Sequence, residues 1–330
     1  MMKLVEIKSP EELGRYPAPT LPLFDAQTLA RHTPDAHWLA LDDGGQVSGR
    51  ASLWWKETAP HPQYRLGVIG HFAAADENST KLLLDHACAE LARRGSTLAV
   101  GPMDGNTWRR YRLLTERGFE PAFFLEQDNP DDWPGWFAKA RFTPLASFFS
   151  AMNSDLSVED PRLPRTVERL ERGGVRLRRL NPCDFAGELR RIHAVSRVSF
   201  KGNFLYTPIS EDEFLAQYEP IRTYVRPELV LLAEHADRPV GFVFGIPDLA
   251  QAKRGASVDT VIVKTVATLP GRAYAGLGNV LVARCQQEAR ALGFRRAIHA
   301  LMHESNNSLN LSGHYANPFR RYTLFARTLV

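Results

Sequence analysis

Apolar positions along the chain switch twice from a strand-like run to a helix-like stripe. "TVATLPGRAYAGLGNVLVARCQQEARALG" runs from Thr265 to Gly293. A β-branched segment comes first, then a turn, then Leu281, Cys285, Ala289 and Leu292 at steps of four, four and three. That spacing puts one apolar stripe on a helix from about Gly278 to Leu292, closed by Gly293. "HFAAADENSTKLLLDHACAELARRG", His71 to Gly95, has the same order and the same closing glycine. Its turn holds no glycine, and Asn78 or Ser79 is the expected N-cap.

The flanking pattern repeats too. In the second half, "VRLRRLNPCDFAGELRRIHAVSRVSF" reads as strand, Asn-Pro turn and helix, and "ELVLLAEHADRPVGFVFGIPDL" as two strands around a three-to-five-residue connection at His235 to Arg238. "SVDTVIVKTVATL" and "RRAIHALMH" read as strands, "ESNNSLNLSGHYA" as a short helix, and "FRRYTLFARTLV" as a last strand. In the first half, "AHWLALDDGGQVSGRASLWW" reads as a hairpin, and "YRLGVIGHFAAA", "TLAVGP" and "PLASFFSAM" as strands. "NTWRRYRLLTERGF" reads as a helix opened by Asn106, as Asn306 opens its counterpart. An order repeated about 200 residues apart implies two copies of one unit. Between them, "NSDLSVEDPRLPRTVERLERGG" breaks the apolar pattern with Pro161 and Pro164 and ends in a short helix closed by glycine. The expected division is residues 1–152, a linker at 153–174, and residues 175–330.

Composition changes this little. The chain has 330 residues, 44% hydrophobic and 24% charged, with a net charge of +4, which suits two soluble globular units and leaves no clustered basic footprint for nucleic acid. Cys88, Cys183 and Cys285 are odd in number and far apart, so reduced thiols in a cytoplasmic protein are expected. No secretory signal and no apolar run near 20 residues is present. The histidines show no ligand spacing, so no metal is expected.

Chemistry is signalled in one place. "LPGRAYAGLGNVLV" ends a strand at Pro270 and brings Gly271, Gly276 and Gly278 before a helix. Glycines there let backbone N–H groups approach a ligand, and the positive end of the helix dipole favours a phosphate. A Walker A loop would need Gly-Lys-Ser/Thr, which is absent, and a flanking hairpin argues against a dinucleotide βαβ unit.

These residues resemble the acetyl-CoA loop of the GCN5-related N-acetyltransferase (GNAT) superfamily, V-x-P-x-x-R/Q-x-x-G-x-G/A after the fourth strand. Pro270, Gly276 and Gly278 fall on it; Thr268 stands at the Val position and Ala273 at the Arg/Gln position, with Arg272 one residue early. The element order of both halves is similar to this superfamily as well. The resemblance implies an α/β (α+β) protein of two tandem GNAT-like domains, each a mixed, mostly antiparallel sheet flanked by helices, with a complete cofactor loop only in the second. It implies acetyl-CoA as cofactor, held by Val266, Ala267, Thr268, Gly271, Arg272, Ala273, Tyr274, Gly276, Leu277, Gly278 and Asn307. The implied reaction is direct attack of a primary amine, on a small molecule or peptide, on the thioester.

In this superfamily a Tyr seven residues beyond an Asn and five before a Phe often protonates the leaving thiolate. Counting from Asn307 and Phe319 gives His314, with Tyr315 beside it. Glu304 and Asp259 are the candidate bases. The acceptor is expected against "SFKGNFLYTPISEDEFLAQYEPI", Ser199 to Ile221, with Phe204, Tyr206 and Glu213 as contacts. "GPMDGNTWRRYRLL", Gly101 to Leu114, carries Trp108 and three arginines and is assigned to the fold or to packing between the halves rather than to a second binding site. The chain is expected as a monomer or homodimer without membrane partners. Two other readings are a non-catalytic protein that binds coenzyme A or a metabolite, and an aminoacyl or other acyltransferase on a tandem GNAT-like fold.

Overall fold

The computed structural model describes residues 2–158, 160–304 and 316–329. The first half contributes β1 (Lys3–Ile7), α1 (Ala26–His32), β2 (Ala36–Leu41), β3 (Val47–Trp54), β4 (Leu66–Ala74), α2 (Glu77–Arg93), β5 (Leu98–Gly101), β6 (Leu113–Glu116), α3 (Trp133–Lys139) and β7 (Thr143–Asn153). The second contributes α4 (Leu163–Arg172), β8 (Val175–Arg179), α5 (Phe185–Ser199), α6 (Glu211–Tyr218), β9 (Val230–His235), β10 (Arg238–Pro247), α7 (Leu249–Lys253), β11 (Thr260–Thr268), α8 (Leu277–Ala291), β12 (Arg296–His303) and β13 (Asn317–Thr328).

All the strands join one sheet, in the order β1-β2-β3-β4-β5-β13-β7-β12-β11-β10-β9-β8, with β6 also on β13. The halves exchange their last strands. β7 closes the first half in sequence but pairs with β12, whereas β13, the last strand of the chain, pairs with β5 and β6. The two strands pair with each other along most of their length. The two expected sheets are therefore one, and the exchange is held by a buried charge. Arg320 on β13 is 1% exposed, lies 2.7 Å from the Glu126 carboxylate, and donates to the carbonyl oxygens of Arg117 and Glu120.

Side-chain alternation explains the layering of the second half. On β10, Phe242, Phe244 and Ile246 pack with Phe185, Leu189 and Ile192 of α5 and Phe214 of α6, while Val240 and Val243 face Leu277, Leu281 and Cys285 of α8. Gly245 lets α8 approach, since a Cβ there would stand 2.9 Å from Cys285 Sγ. Among the adjacent strand pairs of the described residues, only β4–β5 and β11–β12 are parallel, and each is bridged by an amphipathic helix, α2 or α8.

Three local expectations change. The β9–β10 connection is the two-residue turn Ala236-Asp237, both residues at positive φ (49° and 60°), which matches strand twist better than a longer loop. The N-cap of α2 is Asp76, whose carboxylate accepts from the Ser79 N–H at 2.7 Å, so the helix starts earlier than Asn78. Residues 106–119 form no helix; Asn106 accepts from the Trp108 N–H in a turn and the apolar pair Leu113-Leu114 enters β6. Non-local pairing with β13 overrides the helical spacing. The helix expected from 304 to 316 lies outside the described residues beyond Glu304 and Ala316. No described helix is long and apolar enough to cross a membrane.

Candidate functional site

β11 and β12 are paired from Thr260–Arg296 to Val263–His299 and then diverge. On its other side β11 keeps pairing with β10, with one residue, Lys264, bulged between Val263 and Thr265. The bulge bends β11 away from β12, so residues 264–268 present a backbone edge without a ladder partner toward β12. This edge opens on a cavity of about 690 Å³, lined by Lys264, Thr265 and Val266 on one side and by residues 299–303 of β12 on the other.

The loop beyond β11 has the geometry its glycines suggest. Gly271 has φ 140° and Gly276 φ 78°, both in the region glycine tolerates best. Gly276 is the N-cap of α8 and supplies no side-chain cap, so the first-turn N–H groups have no capping side chain among the described residues. α4 braces the loop from behind: Arg169 donates to the Ala273 and Ala275 carbonyls, and Thr166 Cγ2 would lie 2.8 Å from a Cβ on Gly276. The Tyr274 hydroxyl bonds His235 Nδ1 at 3.1 Å, and Leu277 is buried under the helix. Arg272 and Ala273 are exposed. Loop and uncapped helix together can hold an anion such as a pyrophosphate.

The far wall of the cavity comes from the first half. Residues 107–112, together with Arg31, His32 and Asp104, line it. The stretch assigned from sequence to packing is thus a wall of the site. Trp108 spans the halves, its indole N–H donating to Thr207 O at 2.7 Å. Arg112 has φ 73°, is 4% exposed and stands over the rings of Tyr111 (4.1 Å), Phe148 (4.3 Å) and Tyr322 (5.8 Å).

Three histidines distant in sequence meet at the first-half end. His32 Nδ1 and His71 Nε2 are 2.8 Å apart, and Ser52 Oγ links His71 Nδ1 (2.8 Å) to His37 Nδ1 (2.6 Å). Asp104 Oδ1 accepts from the His71 backbone N–H. Burial pushes these imidazoles down from 6.5, His32 to about 4, His37 to about 3 and His71 to about 2. Burial pushes the Asp104 carboxyl up to about 6, against the pull of the His71 N–H and of Arg110, Arg109 and Arg50. Ligand atoms of His32, His71 and Asp104 lie within 4.8 Å of one another, a grouping that sequence spacing does not disclose.

The expected acceptor contacts share the cavity: Phe204, Tyr206 and Glu213 all line it. Glu213, however, is engaged by Arg109 at 2.7 Å, and that ion pair joins the halves. The Tyr206 hydroxyl is buried without a partner among the described residues, and burial raises its pKa. Phe204 lies 5.6 Å from the His303 ring. Glu304 sits at the end of β12, outside the cavity lining, paired with Arg321. Asp259 precedes β11 at its opposite end, accepting from Gln251 and Thr260. Asn307, His314 and Tyr315 lie outside the described residues. His299, buried and held down to about 4, Asp104 and Arg112 were not singled out from sequence. The φ near +73° of Arg112 and the rings of Phe148 and Tyr322 beside it are not written locally.

No protein-family model matches the chain. It is 24% identical over 275 residues to the bacterial ceramide synthase of Caulobacter vibrioides, covering 76% of this chain and 71% of that protein. It is 23% identical over 330 residues to protein YghO of Escherichia coli, covering 88% and 82%. Among solved structures, a GCN5-related N-acetyltransferase from Sphaerobacter thermophilus superposes with a TM-score of 0.51 at 12% identity, covering 99% of this chain and 96% of that one. One from Anabaena variabilis gives 0.54 at 9% identity, covering 99% and 73%. A GCN5-related glucosamine N-acetyltransferase region of a fungal multi-domain β-N-acetylglucosaminidase gives 0.55 at 12% identity; this chain spans 38% of that protein's length. The fold is the GNAT fold, built twice into one mixed sheet.

Proposed function

We propose that the chain is an acetyl-CoA-dependent N-acetyltransferase that acylates a primary amine held in the cavity between its halves. One observation carries this reading: the uncapped N-terminus of α8, behind a loop shaped by Gly271 and Gly276, stands beside a splayed β11–β12 pair that opens on a cavity of about 690 Å³. The loop fits coenzyme A, because Gly276 supplies no side-chain cap to the first-turn N–H groups and a Cβ on Gly271 would meet nothing nearer than 3.9 Å. Leu277, Gly278 and the backbone from Gly271 to Ala273 would hold the pyrophosphate, with Arg272 free at the surface to add charge. Bound acetyl-CoA supplies the activated acyl group.

The chain's own residues supply the rest. Of the backbone N–H groups near Val266 and Ala267, the one that faces the unpaired edge would polarise a carbonyl entering the splay. Asp104, with a carboxyl near 6, is ionised at neutral pH and close to the range suited to taking a proton from an ammonium. His314 and Tyr315 stay our assignments for protonating the thiolate. Trp108, Phe148, Phe200 and Phe204 shield the chemistry from water.

A second reading extends the acyl group or the amine to a longer apolar chain. Those aromatic residues favour it, and so does the name of the ceramide synthase relative, since a ceramide is an N-acylated long-chain amino alcohol.

Calorimetric titration of acetyl-CoA and free coenzyme A into wild type and Gly278→Glu tests the core proposal. A carboxylate in the first turn suits the helix dipole and repels a pyrophosphate, so the variant should stay folded and bind at least about tenfold more weakly. Equal binding by both proteins, or none by wild type, removes the reading.

A further inference from the structure

Arg112 is a buried cation with no carboxylate paired to it among the described residues. Its Nε and Nη1 have no hydrogen-bond partner among the described residues; burial lowers its pKa, and the groups that oppose the shift are the phenols of Tyr111 and Tyr322, with no carboxylate among them. The nearby acids are taken: Glu213 pairs with Arg109 and Glu126 with Arg320 and the Tyr322 hydroxyl. Leaving a guanidinium dry and unpaired is strongly unfavourable. The rings of Tyr111, Phe148 and Tyr322 offset part of that charge through their π faces, and the Tyr111 side chain eases the shift further, but neither brings a negative charge to Nε and Nη1. The backbone that carries the side chain is fixed, because the Arg112 N–H donates to Pro102 O at 2.8 Å and φ is held at 73°. Positive φ in an arginine costs energy and persists where the surroundings impose it, often at ligand sites.

We infer that Arg112 is the anchor for an anionic group, carboxylate or phosphate, carried by the molecule that enters the cavity. Arg112 lines that cavity beside Tyr111, Gln127, Phe148 and His303, whereas no residue from Gly271 to Gly278 does. The anion therefore belongs to the acceptor rather than to the cofactor's pyrophosphate. Its chemical class is an amine that also bears a carboxylate or phosphate, on an apolar or aromatic frame suited to Phe148 and Phe204. A planar guanidinium fork matches either anion with two parallel hydrogen bonds. The inference deepens the acceptor side of the proposed acyl transfer and rests on that reading for the amine; the anion site itself rests on the buried, cavity-lining guanidinium.

Binding without cofactor tests it separately. Calorimetry compares phenylalanine with phenethylamine, which differ by a carboxylate, and O-phosphoethanolamine with ethanolamine, which differ by a phosphate. Wild type should bind the anionic member of at least one pair about tenfold more tightly, and the pair that responds identifies the anion. Arg112→Met should erase that preference while Arg112→Lys keeps part of it, with the fold of each variant checked by circular dichroism. No preference in wild type, or an undiminished preference in folded Arg112→Met, overturns the inference. If Arg112→Met does not fold, wild type against Arg112→Lys decides, since losing the fork must cut the preference. Coenzyme A binding by the same samples reports independently on the loop, so a failed acyl-transfer reading and a failed anion site give different results.

Discussion

The two halves end a strand and start a helix in the same way, and they differ in what occupies the helix start. At α2 the protein supplies its own anion: Asp76 accepts from the Ser79 N–H at 2.7 Å and from its hydroxyl at 3.0 Å. At α8 the equivalent place is Gly276, which supplies nothing. The strand pairs differ likewise. β4 and β5 part after Val68–Val100, but the chain after β5 fills the gap, with the Met103 N–H donating to Ile69 O at 2.8 Å. β11 and β12 part onto open cavity. One design thus becomes a wall where its anion site and gap are filled and a binding site where both are left open.

The largest effect is expected from unfastening the halves. Arg320→Met leaves Glu126 buried without its cation, and losing one partner of a buried pair costs about 3–5 kcal/mol; urea denaturation should show this as one lowered midpoint for the whole chain. A loss below about 1 kcal/mol would mean that the exchanged strands do not depend on that pair.

Gly70→Ala attacks the plug. Its Cβ would stand 2.0 Å from Met103 O, which backbone cannot yield without moving, so overpacking should cost about 1–3 kcal/mol. Coenzyme A binding, set at the other half, should be unchanged. An undisturbed melting temperature would show that the gap is not filled as described.

The histidine cluster predicts acid sensitivity of the plugged half. His32, His37 and His71 are all held below 6.5 in the folded chain. The unfolded chain then binds more protons below pH 6.5, and stability falls as pH drops from about 6.5 toward 4. Asp104 acts oppositely, since a carboxyl raised from 3.8 to about 6 gains stability as pH falls through that window. One carboxyl against three imidazoles leaves acid destabilising, by more than about 2 kcal/mol between pH 7.5 and 5. A pH-independent urea midpoint over that range would sink the account of the cluster.

The smallest effect should come from Asp76→Ala. Losing an N-cap costs about 1 kcal/mol, but the opened helix start should gain no affinity for coenzyme A, because the filled gap beside it leaves the thioester no room. Measurable binding by that variant, with the second site blocked by Gly278→Glu, would make the plug irrelevant and the cap decisive.

Much of the fold and one part of the site were legible from the chain alone. Leu281, Cys285 and Ala289 mark α8 because a helix's contacts repeat every three or four residues, and Gly271 and Gly276 mark the turn because few other residues accept their φ values. Both signals are local. The repeat of β-strand, turn and helix in the two halves follows from the same short-range rules.

Tertiary structure decided what those rules cannot reach. Whether β7 pairs within its own half or with β12 depends on competing long-range ladders whose side-chain patterns are alike. The convergence of His32, His71 and Asp104 follows from that packing, as does the aromatic setting of Arg112. The stretch 106–119 has helical spacing, yet β13 draws Leu113 and Leu114 into a strand. Local periodicity fixes which face of an element is apolar; which neighbour covers that face, and which polar group is then left without a partner, is settled only when the whole sheet closes.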